Sequence, residues 1–372
     1  MEHSKGELAR IVAPHLMAFA FPGYALFFLL TGPHQGGRAL LYVLPLLLHA
    51  TADLFSPPVR RQPEIDVPSW PFDGLLYALV ALQLVNMALL VRLFAVQSFW
   101  SLDTLAATVV VGANTGYSAI VVAHELIHRR FGWEQQLGRL LMCTAMYEHF
   151  YTEHLRGHHP RVGTEADPAT ARYGERFAPF FFRTVPDQFR SAWRLEAKRL
   201  GDENLKPWDP RALRSRVVHG LVAEWSLALG ILFVFGGAAF AAFLLQALFA
   251  VRALEVVNYF EHWGLVRTGP RLRAVDSWDT DSWVTYYSLT GLSRHADHHG
   301  FPSRPYQELR VLEDSPRLPH GYLSLFPLIL ARNQKFQRLM TAELERCKLG
   351  PFAPESLAEH PPSRVDSTTS TR

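Results

Sequence analysis

Long apolar stretches dominate the pattern of residues 8–262, most of them separated by short polar or basic connections and two of them by the long segment 129–216. Each stretch is close to the roughly 20 residues that an α-helix needs to cross a bilayer. The pattern therefore predicts an all-α fold, a bundle of six transmembrane helices. Their approximate bounds are 8–30, 39–55, 72–95, 102–128, 217–235 and 238–262.

The rest of the chain is predicted to belong to the same domain. Segment 160–212 is a long insertion, and its mixture of aromatic and cationic residues over 178–200 is typical of a helix in the membrane interface. The apolar segment 137–146 is too short to cross and is expected to be re-entrant or buried. We therefore predict one membrane-embedded domain over 1–352, followed by a disordered tail over 353–372 that is rich in Pro, Ser and Thr.

Arginines mark one side of the predicted bundle. Those in its loops are Arg60, Arg61, Arg129, Arg130, Arg211, Arg214 and Arg216. By the positive-inside rule this side is cytoplasmic, and six crossings then place both termini there, in an inner (cytoplasmic) membrane. The first apolar stretch is too long and too aromatic for a cleavable signal peptide, so we expect it to remain as a helix.

Composition supports the membrane interpretation and excludes other classes. The 372 residues are 49% hydrophobic and only 19% charged, below the quarter that is usual in soluble domains. A net charge of +3 gives no reason to expect a nucleic-acid partner. Cys143 and Cys347 form no CxxC pair, so no fused zinc-ribbon or rubredoxin-like domain is expected.

Histidines carry the candidate chemistry. Nine of the 17 fall in four short runs: His-Glu-Leu-Ile-His at 124–128, Glu-His-Leu-Arg-Gly-His-His at 153–159, Glu-His-Trp at 261–263 and Arg-His-Ala-Asp-His-His at 294–299. Spacings of three or four residues place imidazoles on one helix face, where they are suited to bind metal. The first run alone matches a zinc-protease motif. One zinc ion does not use nine histidines, whereas two irons could.

Acidic residues adjoin the histidine runs. Glu125, Glu153, Glu261 and Asp297 each stand next to a candidate ligand. Because metal-bound imidazoles usually donate their second N–H to a carboxylate or carbonyl, we expect these four to orient the ligands. The alternative is that they are ordinary surface charges. His149, five residues before His154, is left open as a ligand.

These runs resemble the integral-membrane alkane 1-monooxygenase (alkane hydroxylase) family, which is related to the membrane fatty-acid desaturases. The resemblance covers about 120–325 and includes His-Glu-Leu-Ile-His-Arg at 124–129 and the whole run at 153–159. It continues with Asp-Pro-Ala-x-Ala-Arg at 167–172, Asn-Tyr-x-Glu-His-x-Gly-Leu at 258–265 and Leu-x-Arg-His-x-Asp-His-His at 292–299.

The resemblance implies a non-haem di-iron site held by nine histidines, which the arginine pattern places on the cytoplasmic side. The matching positions are His124, His128, His154, His158, His159, His262, His295, His298 and His299. It further implies O2 as co-substrate, a rubredoxin-type electron donor with its reductase, and hydroxylation of the terminal methyl of an alkane or related alkyl chain from the bilayer. The product is a primary alcohol.

Departures from the family pattern leave the substrate open. Trp263 stands where the family usually has Tyr, directly after a candidate ligand, and could limit the space near the irons. Asn114 and Tyr117 on the fourth helix are candidates for lining the substrate cavity, with helix–helix hydrogen bonding as the alternative. The competing functions are those of a xylene-type methyl-arene hydroxylase, a desaturase-like membrane di-iron enzyme, and a zinc membrane protease or metal transporter.

Overall fold

The structure, a computed structural model, describes residues 4–64 and 66–354. Within these ranges the chain is helical, with two isolated β-bridges and no strand, so the all-α prediction is confirmed. In chain order the helices are α1 (Lys5–Thr31), α2 (Arg38–Leu41), α3 (Leu44–Leu54), α4 (Trp70–Val96), α5 (Leu102–Ile127), α6 (Gly132–Thr144), α7 (150–161), α8 (Phe177–Arg199), α9 (Arg216–Phe235), α10 (Gly237–His262), α11 (Trp283–Ser288), α12 (His295–Gly300) and α13 (Tyr322–Cys347).

Five of the helices are long and apolar enough to cross a membrane. They are α1, α4, α5, α9 and α10, so the described residues form a membrane protein, but the predicted count of six is not confirmed. The predicted helix over 39–55 is instead broken into α2 and α3. Pro45, which lies in the first turn of α3, has no N–H to continue a helix from α2 across this point.

The broken segment nevertheless runs from one end of the bundle to the other. His34, just before α2, places its Nδ1 2.6 Å from Asp103 Oδ1 in the first turn of α5. Asp53, near the end of α3, accepts hydrogen bonds from Ser282 and Thr285, which lie near the start of α11. The chain therefore returns across the bundle in two short helices.

Helices α5 and α10 approach each other closely because small residues lie between them. A Cβ at Gly112 would lie 2.7 Å from Cβ of Phe249, and one at Gly116 would lie 2.7 Å from Cβ of Ala253. Both distances are far below van der Waals contact, so only glycine fits. Close packing of this kind is typical of membrane helices.

Buried polar side chains fix the register of four helices. Gln83 of α4 donates to Thr115 and Thr144, both at 3.1 Å, and accepts from Asn114 at 2.6 Å. Thr115 in turn donates to Gln246 of α10 at 2.7 Å. Four of these five residues are fully buried, and Thr144 nearly so, away from water, where polar groups are costly unless paired. The network also surrounds a π-helical turn over Thr115–Ala119 in α5, a feature that is frequent near functional sites.

The remaining helices cover one end of the bundle. The predicted short segment 137–146 lies largely within α6, and α8 occupies the centre of the predicted insertion. Helix α13 is kinked at Arg332. Of the predicted disordered tail, residues 355–372 lie outside the described ranges.

Candidate metal centre

Four separate helices bring the nine predicted histidines together at one end of the bundle. Helix α5 carries His124 in its last turn and is followed directly by His128, and α10 ends with His262. Helix α7 carries three of them and α12 the last three. All nine are buried apart from His128, which is half-buried.

The nine imidazoles form two groups, and within each group the donor atoms all lie within 4.8 Å of one another. The first group, called here the five-histidine group, comprises His124, His128, His154, His159 and His298. The second, the four-histidine group, comprises His158, His262, His295 and His299.

Within each group, the distances between ring nitrogens are those expected for ligands of one metal ion. In the five-histidine group, Nε2 of His154 lies 3.0 Å from Nε2 of both His128 and His159. In the four-histidine group, Nε2 of His295 lies 2.9 Å from that of His299 and 3.3 Å from that of His262. Two ligands about 2.1 Å from one ion and at right angles would be about 3.0 Å apart.

Two further nitrogens support this fit. Nε2 of His124 and Nε2 of His298 are buried and have no hydrogen-bond partner among the described residues. An unpaired buried donor or acceptor is costly, and a bound cation would satisfy both nitrogens. The donor set is imidazole, which suits iron, zinc and copper rather than calcium or magnesium. The histidine groups can therefore hold metal.

The protonation state also suits metal binding. Burial, followed by the neighbouring imidazoles, holds the pKa of His154, His159 and His298 well below the usual range of histidine. The same causes lower the pKa of His295 and His299. These rings are therefore neutral near pH 7, which is the form whose lone pair binds a metal ion.

Each His-His pair divides its two rings between the groups. His159 belongs to the five-histidine group and His158 to the four-histidine group, and His298 and His299 are divided in the same way. The reason is helical geometry, because adjacent residues point about 100° apart at 3.6 residues per turn. In α7 the division coincides with a π-helical turn over His154–His158.

Gly157 gives this turn its tight packing. A Cβ there would collide with the guanidinium of Arg161 and the carboxylate of Glu153, which form an ion pair at 2.7 Å. Arg161 also donates to the carbonyl of Gly157 and to Ser191, both at 2.7 Å. The ion pair therefore ties the histidine-bearing turn to α8.

The four predicted carboxylates lie close to the site, but two of them contact the surrounding loops and a third pairs with an arginine of its own helix. Glu125 accepts from the backbone N–H of Tyr306 at 3.2 Å, and Asp297 accepts from Arg304 at 2.6 Å. Glu153 pairs with Arg161, as described above. These three fix the segments that carry the histidines.

Glu261 differs from the other three. One of its oxygens accepts from the hydroxyl of Tyr322 at 2.7 Å, and the other lies 3.3 Å from Nε2 of His295. That nitrogen faces the rest of the four-histidine group, so this carboxylate oxygen lies on the side of the candidate donor atoms.

Asp167 is a ring partner that the sequence reasoning missed. Its Oδ2 lies 2.9 Å from Nδ1 of His158 and accepts from Thr170 at 2.7 Å. The side chain is fully buried. The only signal in the sequence was its place in the run at 167–172, eight residues after His159 and outside the histidine runs.

His149 and Trp263 lie apart from the two groups. The His149 ring packs against Tyr147 and Phe189, with centroids 4.3 and 5.2 Å away. The indole N–H of Trp263 donates to the carbonyl of Glu175 at 3.1 Å. Trp263 belongs to the apolar core, so its contacts favour packing over a role in limiting space at the site.

The other two candidate pocket residues occupy the interior of the bundle. Asn114 belongs to the polar network described above. This contact favours helix–helix hydrogen bonding, the alternative to lining the substrate cavity. Tyr117 is buried, and its ring lies 5.7 Å from that of Phe21 and 5.6 Å from that of Phe326. Its hydroxyl has no hydrogen-bond partner among the described residues.

Comparison with known proteins agrees with this geometry. The model of the fatty acid desaturase family matches residues 98–328. Alkane 1-monooxygenase 1 of Pseudomonas aeruginosa is 37% identical over 63% of this chain and 63% of its own length. Alkane 1-monooxygenase of Pseudomonas putida is 30% identical over 76% of this chain and 71% of its own. The xylene/toluene monooxygenase hydroxylase component of Pseudomonas putida is 24% identical over 55% of each. The chain thus matches less than two thirds of the first of these relatives.

Proposed function

Because the chain belongs to the fatty acid desaturase family, and within it to the alkane 1-monooxygenases, we propose that it is a membrane-bound non-haem di-iron monooxygenase. It hydroxylates the terminal methyl of an alkane or related alkyl chain to a primary alcohol, with O2 as co-substrate. The observation that carries this proposal is the pair of buried histidine groups, which a single zinc ion would not require.

In this proposal each histidine group holds one iron. Iron supplies the activation of O2 that an unactivated C–H bond demands, since no amino-acid acid or base can attack such a bond. The chain contributes neutral imidazoles, a site shielded from water, and a means to orient the ligand rings. Asp167 orients His158, and Glu125, Glu153 and Asp297 hold the segments that bear the other rings.

The alkyl chain is proposed to reach the site from the bilayer along α5. Tyr117 precedes His124 by seven residues on α5, which is about 10 Å along the helix. The aromatic contacts of Tyr117 with Phe21 and Phe326 give that path an apolar wall. Trp263 as a limit on substrate size stays a prediction, with its packing against the core as the alternative.

Electrons are proposed to come from a rubredoxin-type protein served by its own reductase. The sequence contains no G-x-G-x-x-G fingerprint for a nucleotide or flavin, so it offers no internal source of reducing equivalents. The donor is soluble, so the histidine end must face the cytoplasm, in keeping with the arginines that flank it.

The orientation makes a testable prediction. Tags at both termini and in the 160–212 insertion are expected on the cytoplasmic side, and tags near Pro33 or Gln97 on the outer side. Both termini lie on the same side only if the chain crosses the membrane an even number of times. The passage of 34–53 across the bundle supports a sixth crossing, which makes the number even. Cysteine accessibility in intact cells measures it. Labelling of the insertion from outside would contradict this orientation, because it would place the site on the opposite side of the membrane from its donor.

Product analysis tests the proposed reaction. Cells that express the chain with a rubredoxin and its reductase are given alkanes of increasing length and alkylarenes, and products are identified by mass spectrometry. We expect primary alcohols from alkanes, and none from cells carrying His298→Ala. Alkenes would indicate a desaturase, and conversion restricted to alkylarenes would favour the xylene-type alternative. A purified chain that holds one zinc would refute the proposal.

A further inference from the structure

A basic cavity lies on the surface beside the metal centre. It has a volume of about 700 Å³ and is lined by the loop 161–172 and by one face of α8. Its cationic side chains are Arg161, Arg172, Arg183, Arg190, Arg194 and Lys198, against three acidic ones. The chain as a whole carries only +3, so positive charge is concentrated here.

Two of these arginines are available to a partner. Arg172 and Arg194 are exposed, and neither forms an ion pair with any of the described residues. By contrast, Arg190 pairs with Asp187 at 2.7 Å and Arg183 with Glu175 at 2.9 Å. No neighbouring carboxylate among the described residues therefore neutralises these two charges in the cavity wall.

A second cavity of about 450 Å³ adjoins the first and leads to the histidines. The two share Glu165, Arg172 and Arg183 in their walls. Asp167 also lines the second cavity, and its carboxylate lies 2.9 Å from His158. The first cavity has a similar connection, in which Arg161 contacts Glu153, the residue before His154. Each cavity is thus linked by one or two side chains to a histidine group.

We propose that this surface, defined by the two cavities and the loop 161–172 between them, is where an acidic one-electron carrier protein docks. The inference rests on the proposed function, which requires such a donor. Charge complementarity selects an acidic partner and speeds its encounter. The short connections through Asp167 and Arg161 select this face, because electron transfer slows steeply with distance.

The proposal is tested by binding of a purified rubredoxin of net negative charge to the purified protein in nanodiscs of zwitterionic lipid. The variant Arg172→Glu/Arg194→Glu is expected to weaken binding about 10- to 100-fold at low salt, a difference that shrinks at high salt as charges are screened. The control Lys335→Glu/Arg346→Glu makes the same change of net charge on α13, outside both cavities, and is expected to bind like the parent.

A second readout follows the electrons. Reduced rubredoxin, mixed without oxygen with the oxidised iron-loaded protein, is expected to reduce the cavity variant more slowly by a similar factor. Dithionite with a small mediator is expected to reduce parent, cavity variant and control at equal rates. Equal rates of reduction by dithionite mean that the metal centre itself is intact and that only docking has changed.

The outcomes separate this proposal from the proposed function. Unchanged rubredoxin binding by the cavity variant overturns the docking surface even if the enzyme is active. A parallel measurement uses nanodiscs that contain anionic lipid. If anionic lipid changes the activity of the parent but not that of the variant, while rubredoxin binds both equally, the arginines contact headgroups and the proposal is wrong. Binding that depends on the two arginines in a protein that yields no alcohol would support docking while refuting the hydroxylase.

Discussion

Replacing His154 or His298 by alanine is expected to abolish hydroxylation while leaving the protein in the membrane. Both rings belong to the five-histidine group, and Nε2 of His154 lies 3.0 Å from two other ring nitrogens. Loss of a partner that only orients a ligand costs 10- to 100-fold, so loss of a ligand should cost at least about 100-fold. Iron content per chain and alcohol formation in purified protein measure the effect together.

The two groups make this prediction sharper. His298→Ala should deplete the ion of the five-histidine group, and His299→Ala that of the four-histidine group, so each variant keeps about one iron. His219→Ala is the control, because His219 is exposed and its ring contacts only the carbonyl of Leu213 among the described hydrogen bonds. Full activity of His154→Ala would remove the di-iron interpretation, and equal loss in the control would point to general misfolding.

The histidine site was predictable because its information is local. Spacings of three and four residues put rings on one helix face. Apolar runs of membrane length that end at His128 and His262 put these histidines at the ends of helices. Both are properties of single helices. Adjacent residues on a helix point apart, but which group each of His158 and His159 joins depends on how α7 lies against α10 and α12. Spacing within one helix does not contain that information.

The carboxylates show the limit of reasoning from adjacency. Glu125 follows His124 directly and was expected to orient a ligand, but neighbouring residues on a helix point about 100° apart. Its carboxylate therefore reaches Tyr306 and Arg129, away from the imidazoles. Asp167, which does contact a ring, lies in a loop whose return to the site is set by tertiary packing. The role of the other carboxylates as ligand-orienting groups stays a prediction.

Hydropathy alone does not determine the number of membrane crossings, for a physical reason. Hydropathy measures the apolar character of a segment and is insensitive to whether the segment is one helix. Pro45 divides 38–54 without making it less apolar, so the pattern predicted a single helix where the structure has α2 and α3. Contacts at His34 and Asp53 tie the two ends of this segment to opposite ends of the bundle, and the topology with six crossings stays a prediction.

The replacement Asp167→Asn is expected to weaken metal binding in the four-histidine group. The side chain keeps its size, so packing is preserved, but the charge that favours the Nδ1–H form of His158 is lost. That form leaves Nε2 free to bind metal, and partners of this kind are typically worth 10- to 100-fold in affinity. Competition with an iron chelator, followed by iron content at each chelator concentration, measures the change.

Two comparisons distinguish this orienting role from a merely structural one. Asp314→Asn removes the same charge at an exposed position and is expected to leave iron affinity unchanged. Thr170→Val removes a hydroxyl that also contacts Asp167 but leaves its charge in place, so it should lower affinity less than Asp167→Asn. If all three variants retain iron equally, the contact between Asp167 and His158 does not tune the metal site. If Asp167→Asn loses thermal stability but keeps its iron affinity, Asp167 serves to anchor the loop 161–172, because its Oδ1 also accepts from the backbone N–H of Ala169.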